Sequence, residues 1–284
     1  MLTTYRLYVI VLYKYVTRLK GVKMKTIKCI CIFLALLLSI PACFAVTVDD
    51  FLESFNLEMV EIPGANFKML TTEVTQNLFE EVMGENHSEY KGEMFPVDSA
   101  SWYDAIYFCN VLSEMFNLEP VYTVNGNTDV STWNYEPLRG KVIKGNIGQN
   151  LESSGMRLPT IKEWWHAAYG GENTDYSGSN LADEVAWHRQ NADWKSHEVA
   201  QKQPNKFGLY DMSGNVTEWV WDSTDNDPNG KRRIVCGGSW VSYATDTKLN
   251  KLYYYPTKSR DPVIGFRFIC TIKADNNADE TQVN

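Results

Sequence analysis

All nine tryptophans of this 284-residue chain lie between Trp102 and Trp240. Much of that region shows neither helical nor alternating periodicity. Long loops leave backbone amides and carbonyls in need of partners, and a large aromatic side chain supplies packing area and a hydrogen bond together. The expected body is therefore a loop-rich domain pinned by aromatic rings. No internal repeat and no Pro/Gly-rich linker divides residues 56–272, so one domain is expected there.

A few regular elements stand out. Met59-Val60-Glu61-Ile62-Pro63 and Phe67-Lys68-Met69 predict a hairpin turning at Pro63-Gly64. Thr72-Glu73-Val74-Thr75 opens a helix that runs through Met83, with Thr75 or Thr72 as its cap. Ser101-Trp102-Tyr103-Asp104 caps a second helix, in which Ala105, Phe108, Cys109 and Leu112 form one buried stripe. A third, short helix spans Thr160–Tyr169.

Charge is unevenly spread. Residues 1–42 hold seven Lys/Arg and no Asp/Glu, which leaves 20 basic against 35 acidic residues, or −15, on the remainder. A body this acidic argues against binding to a nucleic-acid backbone. The basic stretch Lys23–Lys28, the apolar run Cys29–Ile40 and the small residues Pro41-Ala42-Cys43-Phe44-Ala45 make a secretory leader. The apolar run is shorter than the roughly twenty residues of a membrane span. Met24 is the better start, with residues 1–23 an upstream extension. Two cleavage points compete. Ile40-Pro41-Ala42-Cys43 resembles a lipobox that would make Cys43 the lipidated first residue and tie the chain to a membrane; Cys43-Phe44-Ala45 would end an ordinary signal. The chain is thus expected outside the cytoplasm, lipid-anchored at a bacterial cell surface, with a periplasmic location as the alternative. The organisation expected is leader 1–42, tether 43–56, domain 57–272 and polar tail 273–284.

Cys109, Cys236 and Cys270 remain after the leader, an odd number that permits at most one disulfide. Cys109 reads as a small core residue. Nucleotide-binding glycine loops, G-x-S-x-G and H-E-x-x-H are absent from the sequence, and His87, His166, His188 and His197 are scattered without metal spacing. Asp225–Gly230 matches the first half of a calcium loop, but Cys236 occupies the place of its acidic twelfth residue, so the segment reads as a turn.

Several segments in fixed order carry a family signature. They are Met59–Gly64; Glu73-Val74-Thr75; Pro96-Val97 with Ser101–Ala105; Arg157-Leu158-Pro159-Thr160 with Glu163-Trp164; and Pro204-Asn205 with Phe207–Met212. Gly214-Asn215-Val216 with Glu218-Trp219, Gly237-Gly238-Ser239-Trp240 and Gly265-Phe266-Arg267 complete the set. Together they resemble the formylglycine-generating-enzyme (sulfatase-modifying factor) family over roughly residues 57–271. The resemblance implies an α+β, C-type-lectin-like fold with short strands, few helices and long loops. It also implies two copper-binding cysteines shortly after the Gly-Gly-Ser-Trp segment. Aligned from Gly237, those positions are Ser242 and Thr247, and neither supplies the thiolate that Cu(I) needs. Cys236 and Cys270 do not match the spacing. The oxidase activity, and copper with it, is therefore not expected. Family members hold calcium near the Gly-Asn-Val segment; Asn215 and Glu218 are either hard ligands of this kind or hydrogen-bonding residues of a tight turn.

Between Trp240 and Gly265 the family pattern dissolves. Val, Ser, Tyr, Ala, Thr, Asp, Asn and Ile, all present there, are reachable from the codon AAC by replacing adenines. This resembles the variable proteins of diversity-generating retroelements, which present mutable side chains on a C-type-lectin-like fold. The residues support a binding surface on physical grounds as well. Tyr253-Tyr254-Tyr255 cannot all face inward in a strand, because neighbours alternate. Tyrosine with Ser, Thr, Asp and Asn is the composition of antibody-like contact surfaces. Expected contact positions are Val241, Ser242, Tyr243, Asp246, Asn250, Tyr253, Tyr254, Tyr255, Ser259 and Asp261, with Trp219 or Trp221 at the border and Arg267 paired inside the domain. The chain is read as a surface-displayed binder of a protein or other macromolecule on a host or neighbouring cell, not as an enzyme. The alternative is a secreted family member with non-oxidase chemistry, Cys236 included.

Overall fold

A computed structural model describes residues 46–223 and 230–272. The leader with Cys43, residues 225–229 of the calcium-loop-like segment and the tail 273–284 lie outside the described residues. By internal contacts the chain divides after Phe51. The first short helix, α1 (Val48–Glu53), starts at a local exchange in which Thr47 and Asp50 hydrogen-bond each other.

The unit from Leu52 onward is α+β. The hairpin forms as its sequence predicts: β1 (Met59–Glu61) pairs antiparallel with β2 (Phe67–Leu70). Three helices carry most of the helical content, and each starts where a local signal places it. The Thr75 hydroxyl accepts the Leu78 amide at the start of α2 (Gln76–Met83). Ser101 and Asp104 form a reciprocal capping box on α3 (Trp102–Met115). Thr160 and Glu163 do the same for α4 (Ile161–Tyr169), which ends at the left-handed Gly170. Each such cap is worth about 1 kcal/mol. A fourth, single-turn helix, α5 (Ala182–Val185), leads into the loop that follows.

Long-range pairing builds two four-stranded sheets. In the first, β12 (Ile269–Thr271) inserts between β2 and β5 (Met156–Arg157), giving the order β1-β2-β12-β5. In the second, β8 (Thr217–Ser223), β9 (Arg232–Cys236) and β10 (Leu252–Pro256) pair antiparallel, and β11 (Ile264–Gly265) runs parallel to β8; the order is β10-β9-β8-β11. Two short ribbons, β3 (Tyr122–Val124) with β4 (Ile147–Gln149) and β6 (Ala186–Trp187) with β7 (Ser213–Gly214), complete the set. One core joins both sheets through α4: Ile62, Met69 and Ile269 meet Val220, Ile234 and Cys236 around Trp164. The tryptophans pin loops as their distribution predicts. Indole N–H groups donate to backbone carbonyls, Trp102 to Val220, Trp133 to Asn127, Trp165 to Leu249, Trp219 to Ala100 and Trp240 to Pro262.

A buried charge network lies where these parts meet. Arg267 is fully buried and grips Glu218 with two hydrogen bonds, at 2.8 and 2.6 Å. Its remaining N–H groups donate to the carbonyls of Leu70, Thr71 and Tyr210. The Trp164 indole donates to Glu218 as well. Glu73 and Asp211 are buried beside this pair. Burial, and the charges of Asp211 and Glu218, push Glu73 well above the usual carboxylate range. Burial raises Asp211 from 3.8 to about 6.

A raised acid binds more protons in the folded than in the unfolded state between its two pKa values. Stability contributed by Asp211 is therefore present at low pH and is lost as pH rises from about 4 through about 6. In urea unfolding, D211N should gain stability relative to the native chain as pH is taken from 5 to 7.5. A difference that stays flat or reverses over that range contradicts this assignment.

Candidate functional site

The stretch after Trp240 is fixed to the scaffold at many points. It is entered through Gly237 and Gly238, both left-handed, at φ 88° and 68°. A Cβ on Gly238 would lie 2.9 Å from the Asp246 carbonyl oxygen, so only glycine lets the stretch fold back there. A 3-10 turn at Ala244–Asp246 follows, and the Thr247 hydroxyl donates to the Ala244 carbonyl. Leu249 drops into the core, and its amide donates to Asp175. Next comes β10, at the edge of its sheet. Thr257 is buried, exchanging backbone hydrogen bonds with Lys231 and Trp102. Arg260 then reaches inward: its guanidinium bonds both oxygens of the fully buried Asp104, the Tyr135 hydroxyl and the Gly140 carbonyl. Val263 closes the stretch, its carbonyl accepting the Thr217 amide.

Between these anchors the side chains face outward. None of the ten expected contact positions is buried. Tyr243, Asn250 and Tyr254 are exposed, and Val241, Ser242, Asp246, Tyr253, Tyr255, Ser259 and Asp261 are half-buried. The alternation expected of three consecutive tyrosines is present. Tyr254 is 42% exposed. Tyr253 donates to the Asp246 carbonyl, and Tyr255 packs edge-to-face on Trp219 at 6.4 Å. Two of the ten also serve the local turn: the Ser242 hydroxyl accepts the Ser239 amide, and the Asp261 carboxylate accepts the Val263 amide. Of the tryptophans expected at the border, Trp219 lies deeper: it is fully buried beneath Tyr255, and its indole donates to the Ala100 carbonyl. Trp221 is half-buried and stacks on Tyr122 at 5.3 Å.

A second group, from outside the stretch, adjoins Tyr243. The Arg189 guanidinium sits 4.9 Å from the Tyr243 ring centre and 4.7 Å from that of Trp194. It also donates to the Tyr243 hydroxyl at 3.2 Å, and the Arg189 amide donates to Ser242 at 2.9 Å. Trp194 is 56% exposed and Tyr243 51%. Asp193 and Trp194 both hold left-handed backbones, φ 50° and 59°, a conformation that costs a non-glycine residue roughly 1–2 kcal/mol. The loop withstands this because it is tied down. Tyr90 donates to the Trp194 carbonyl at 2.8 Å and packs against Trp240. Asn215 accepts the His197 amide and donates to the His197 carbonyl. Sequence reasoning counted Trp194 only among the loop tryptophans and passed over Arg189 and Tyr90. The only available signal was a bulky aromatic in a polar run, Gln190-Asn191-Ala192-Asp193-Trp194-Lys195.

Comparison with known proteins fits this geometry. The model of the sulfatase-modifying factor enzyme 1-like domain matches residues 44–272. The chain belongs to this family. A chaperone protein, LppX, of Paenibacillus barcinonensis is 39% identical over 220 residues, covering 69% of this chain and 77% of that protein. The formylglycine-generating enzyme of Thermomonospora curvata is 30% identical over 122 residues, covering 32% of this chain and 40% of the enzyme. Among solved structures, Treponema denticola variable protein 1 superposes with a TM-score of 0.63 at 32% identity, covering 75% of this chain and 91% of that one. The C-type-lectin-like fold expected from the sequence is therefore the fold of this sulfatase-modifying-factor domain, and its structural likeness includes a variable protein.

The family's metal sites do not fit the residues present. At the copper positions, the Thr247 and Ser242 hydroxyls are engaged in turns, and neither is a soft donor. Cys109, Cys236 and Cys270 are all free thiols. Cys236 is fully buried, and burial with the charges of Glu218 and Asp222 pushes its thiol well above the usual range, the reverse of an activated nucleophile. Both oxygens of Glu218 belong to Arg267, and Asn215, at φ 52°, ties the turn to His197 and Glu73. Of the two readings of Asn215 and Glu218, the hydrogen-bonded turn matches this geometry, and a calcium ligand set does not. Among the described residues no group of three or more His, Cys, Asp or Glu could hold a metal ion.

Positions within the stretch should therefore differ sharply in tolerance. R260A strands the buried Asp104 carboxylate and should cost about 3–5 kcal/mol. Y254S and N250A should stay within about 0.5 kcal/mol of the native chain. Chemical denaturation of the three variants checks the ranking; equal losses would mean the stretch is not divided into anchors and free positions.

Proposed function

We propose that this chain is a ligand-binding protein whose contact surface is made by the outward side chains of residues 241–261, diversified by a retroelement, and which binds a protein or other macromolecule on a host or neighbouring cell. The observation that carries the reading is the alternation along the stretch. Positions expected to make contact are solvent-accessible, while Thr247, Leu249 and Thr257 between them are buried. A surface of this kind lets contact residues change without touching the core. Tyr243, Tyr253, Tyr254 and Tyr255 supply area at low entropic cost, and Ser, Asp and Asn supply adaptable hydrogen bonds. The structural likeness to a variable protein supports it, and the name of the Paenibacillus relative, a chaperone protein, favours a protein among macromolecular ligands.

The test is a display library in which Asp246, Asn250, Tyr254 and Ser259 are randomised together. Most members should retain native-like unfolding midpoints, and selection against unrelated proteins should return binders that differ only at these positions. A library that is mostly unfolded, or one that yields no binder on any target, overturns the reading.

The chain is further proposed to be held at the bacterial surface by a lipid on Cys43. Expressed with its leader in a bacterial host, the native chain should partition into the detergent phase of Triton X-114, and C43S should move it to the aqueous phase. A native chain found in the aqueous phase argues for cleavage after Ala45 and a soluble mature form, and a C43S chain that stays in the detergent phase rules out the lipid on Cys43 as what holds it there.

A further inference from the structure

The binding surface proposed above has a fixed end. Arg189 and Trp194 come from a loop outside the variable stretch, and Tyr243 lies just inside it. The Arg189 guanidinium lies over two aromatic rings, with centroids at 4.7 and 4.9 Å. A guanidinium placed in this way offers ligands its edge, a planar fork of N–H donors matched to a carboxylate; an ammonium has no such fork. Stacking and the bond to the Tyr243 hydroxyl already hold the side chain, so little rotamer freedom remains to be lost on binding. Among the described residues no carboxylate lies within ion-pair distance of Arg189. That is notable on a body carrying −15, where an exposed arginine finds an acid easily. The loop backbone is held in a left-handed conformation at Asp193 and Trp194, and such strain persists only where the surroundings enforce it.

Charge along the stretch points the same way. Residues 241–263 hold Lys248, Lys251, Lys258 and Arg260 against Asp246 and Asp261. Lys248 is paired with Asp175 and Arg260 with Asp104. Lys251 and Lys258 are exposed and, like Arg189, have no acidic partner among the described residues. Three cations without an acidic partner, Arg189, Lys251 and Lys258, thus balance Asp193, Asp246 and Asp261 in these segments of a protein that is acidic as a whole.

We propose that Arg189, held over Trp194 and Tyr243, is a constant carboxylate-binding anchor that seats a Glu or Asp side chain of an acidic polypeptide ligand. The proposal rests on the binding-surface reading and names the chemistry of its partner. The remaining contact side chains then set which acidic polypeptide is accepted, while Arg189, Trp194 and, where it is kept, Tyr243 contribute the same contact to each. Arginine and tryptophan are the residue types most enriched among energetically dominant interface positions.

The full chain, labelled with ¹⁵N, would be titrated with the blocked peptide acetyl-(Glu)4-amide and with acetyl-(Gln)4-amide, following Arg189 Nε–H and Trp194 Nε1–H. Saturable shifts are expected with the glutamate peptide and not with the glutamine one. R189K, which keeps the charge and loses the fork, should weaken binding at least about tenfold, and W194A should also weaken it; K195A, the adjacent cation, should bind as the native chain does. Equal shifts with both peptides, no shift with either, or native affinity in R189K overturns the proposal. Binding of 3′-sialyllactose without binding of the glutamate peptide overturns the polypeptide as source of the carboxylate. Success of the randomised library together with failure here would leave the binding surface standing and remove the anchor. Failure of both would remove the surface itself.

Discussion

The fold depends on one buried ion pair. Arg267 and Glu218 have no water to hydrate them, and burying either alone would cost several kcal/mol. Each therefore demands the other, and the spare donors of Arg267 demand carbonyls. Those carbonyls come from the end of β2 and from the Tyr210 loop, while Glu218 sits on β8 and accepts from Trp164 on α4. One guanidinium thus fixes how the two sheets, the central helix and a long loop meet. Two motifs separated by about fifty residues, Gly-Asn-Val-x-Glu-Trp and Gly-Phe-Arg, are the two halves of this single contact.

With that junction fixed, the stretch between the Gly-Gly-Ser-Trp and Gly-Phe-Arg segments has both ends nailed to the scaffold. Its middle is divided by function at single-residue resolution. Thr247, Leu249, Thr257 and Arg260 face the protein and carry the geometry, and Tyr243, Asn250 and Tyr254 face the solvent. The arrangement separates the residues that carry the energy of folding from the side chains left free for contact.

Features set by local physics were legible in the sequence. Thr75, Ser101 and Thr160 announce their helices because a capping hydroxyl acts within three residues. At least one of Tyr253, Tyr254 and Tyr255 had to be exposed because strand side chains alternate, and the exposed one is Tyr254. The pairing of Arg267 followed from an arginine in an apolar segment. Features set by distant chain were not legible. Nothing local places β12 between β2 and β5. Arg260 reads like any polar residue of its stretch, and only Asp104, 156 positions away, makes it an anchor. The Arg189 stack joins residues 54 apart through a loop with a left-handed tryptophan, a conformation that no sequence signal advertises for that residue type. For Asn215 the sequence left a metal ligand and a turn residue both open, and only the fold shows that its side chain holds the loop that carries Trp194.

The position of β10 at the rim of its sheet has a further consequence. A rim strand offers unpaired backbone donors and acceptors to any neighbouring chain, and the tyrosines of this one add apolar area to it. Here the strand ends in Pro256, which has no N–H to give, and is flanked by Lys251 and Lys258. Arg232 donates to the Tyr254 carbonyl, engaging one acceptor of the rim. These devices act on backbone and flanks, so they work whatever side chains the middle carries. Substitution at the outward positions therefore leaves the protection of the rim against strand-to-strand pairing in place.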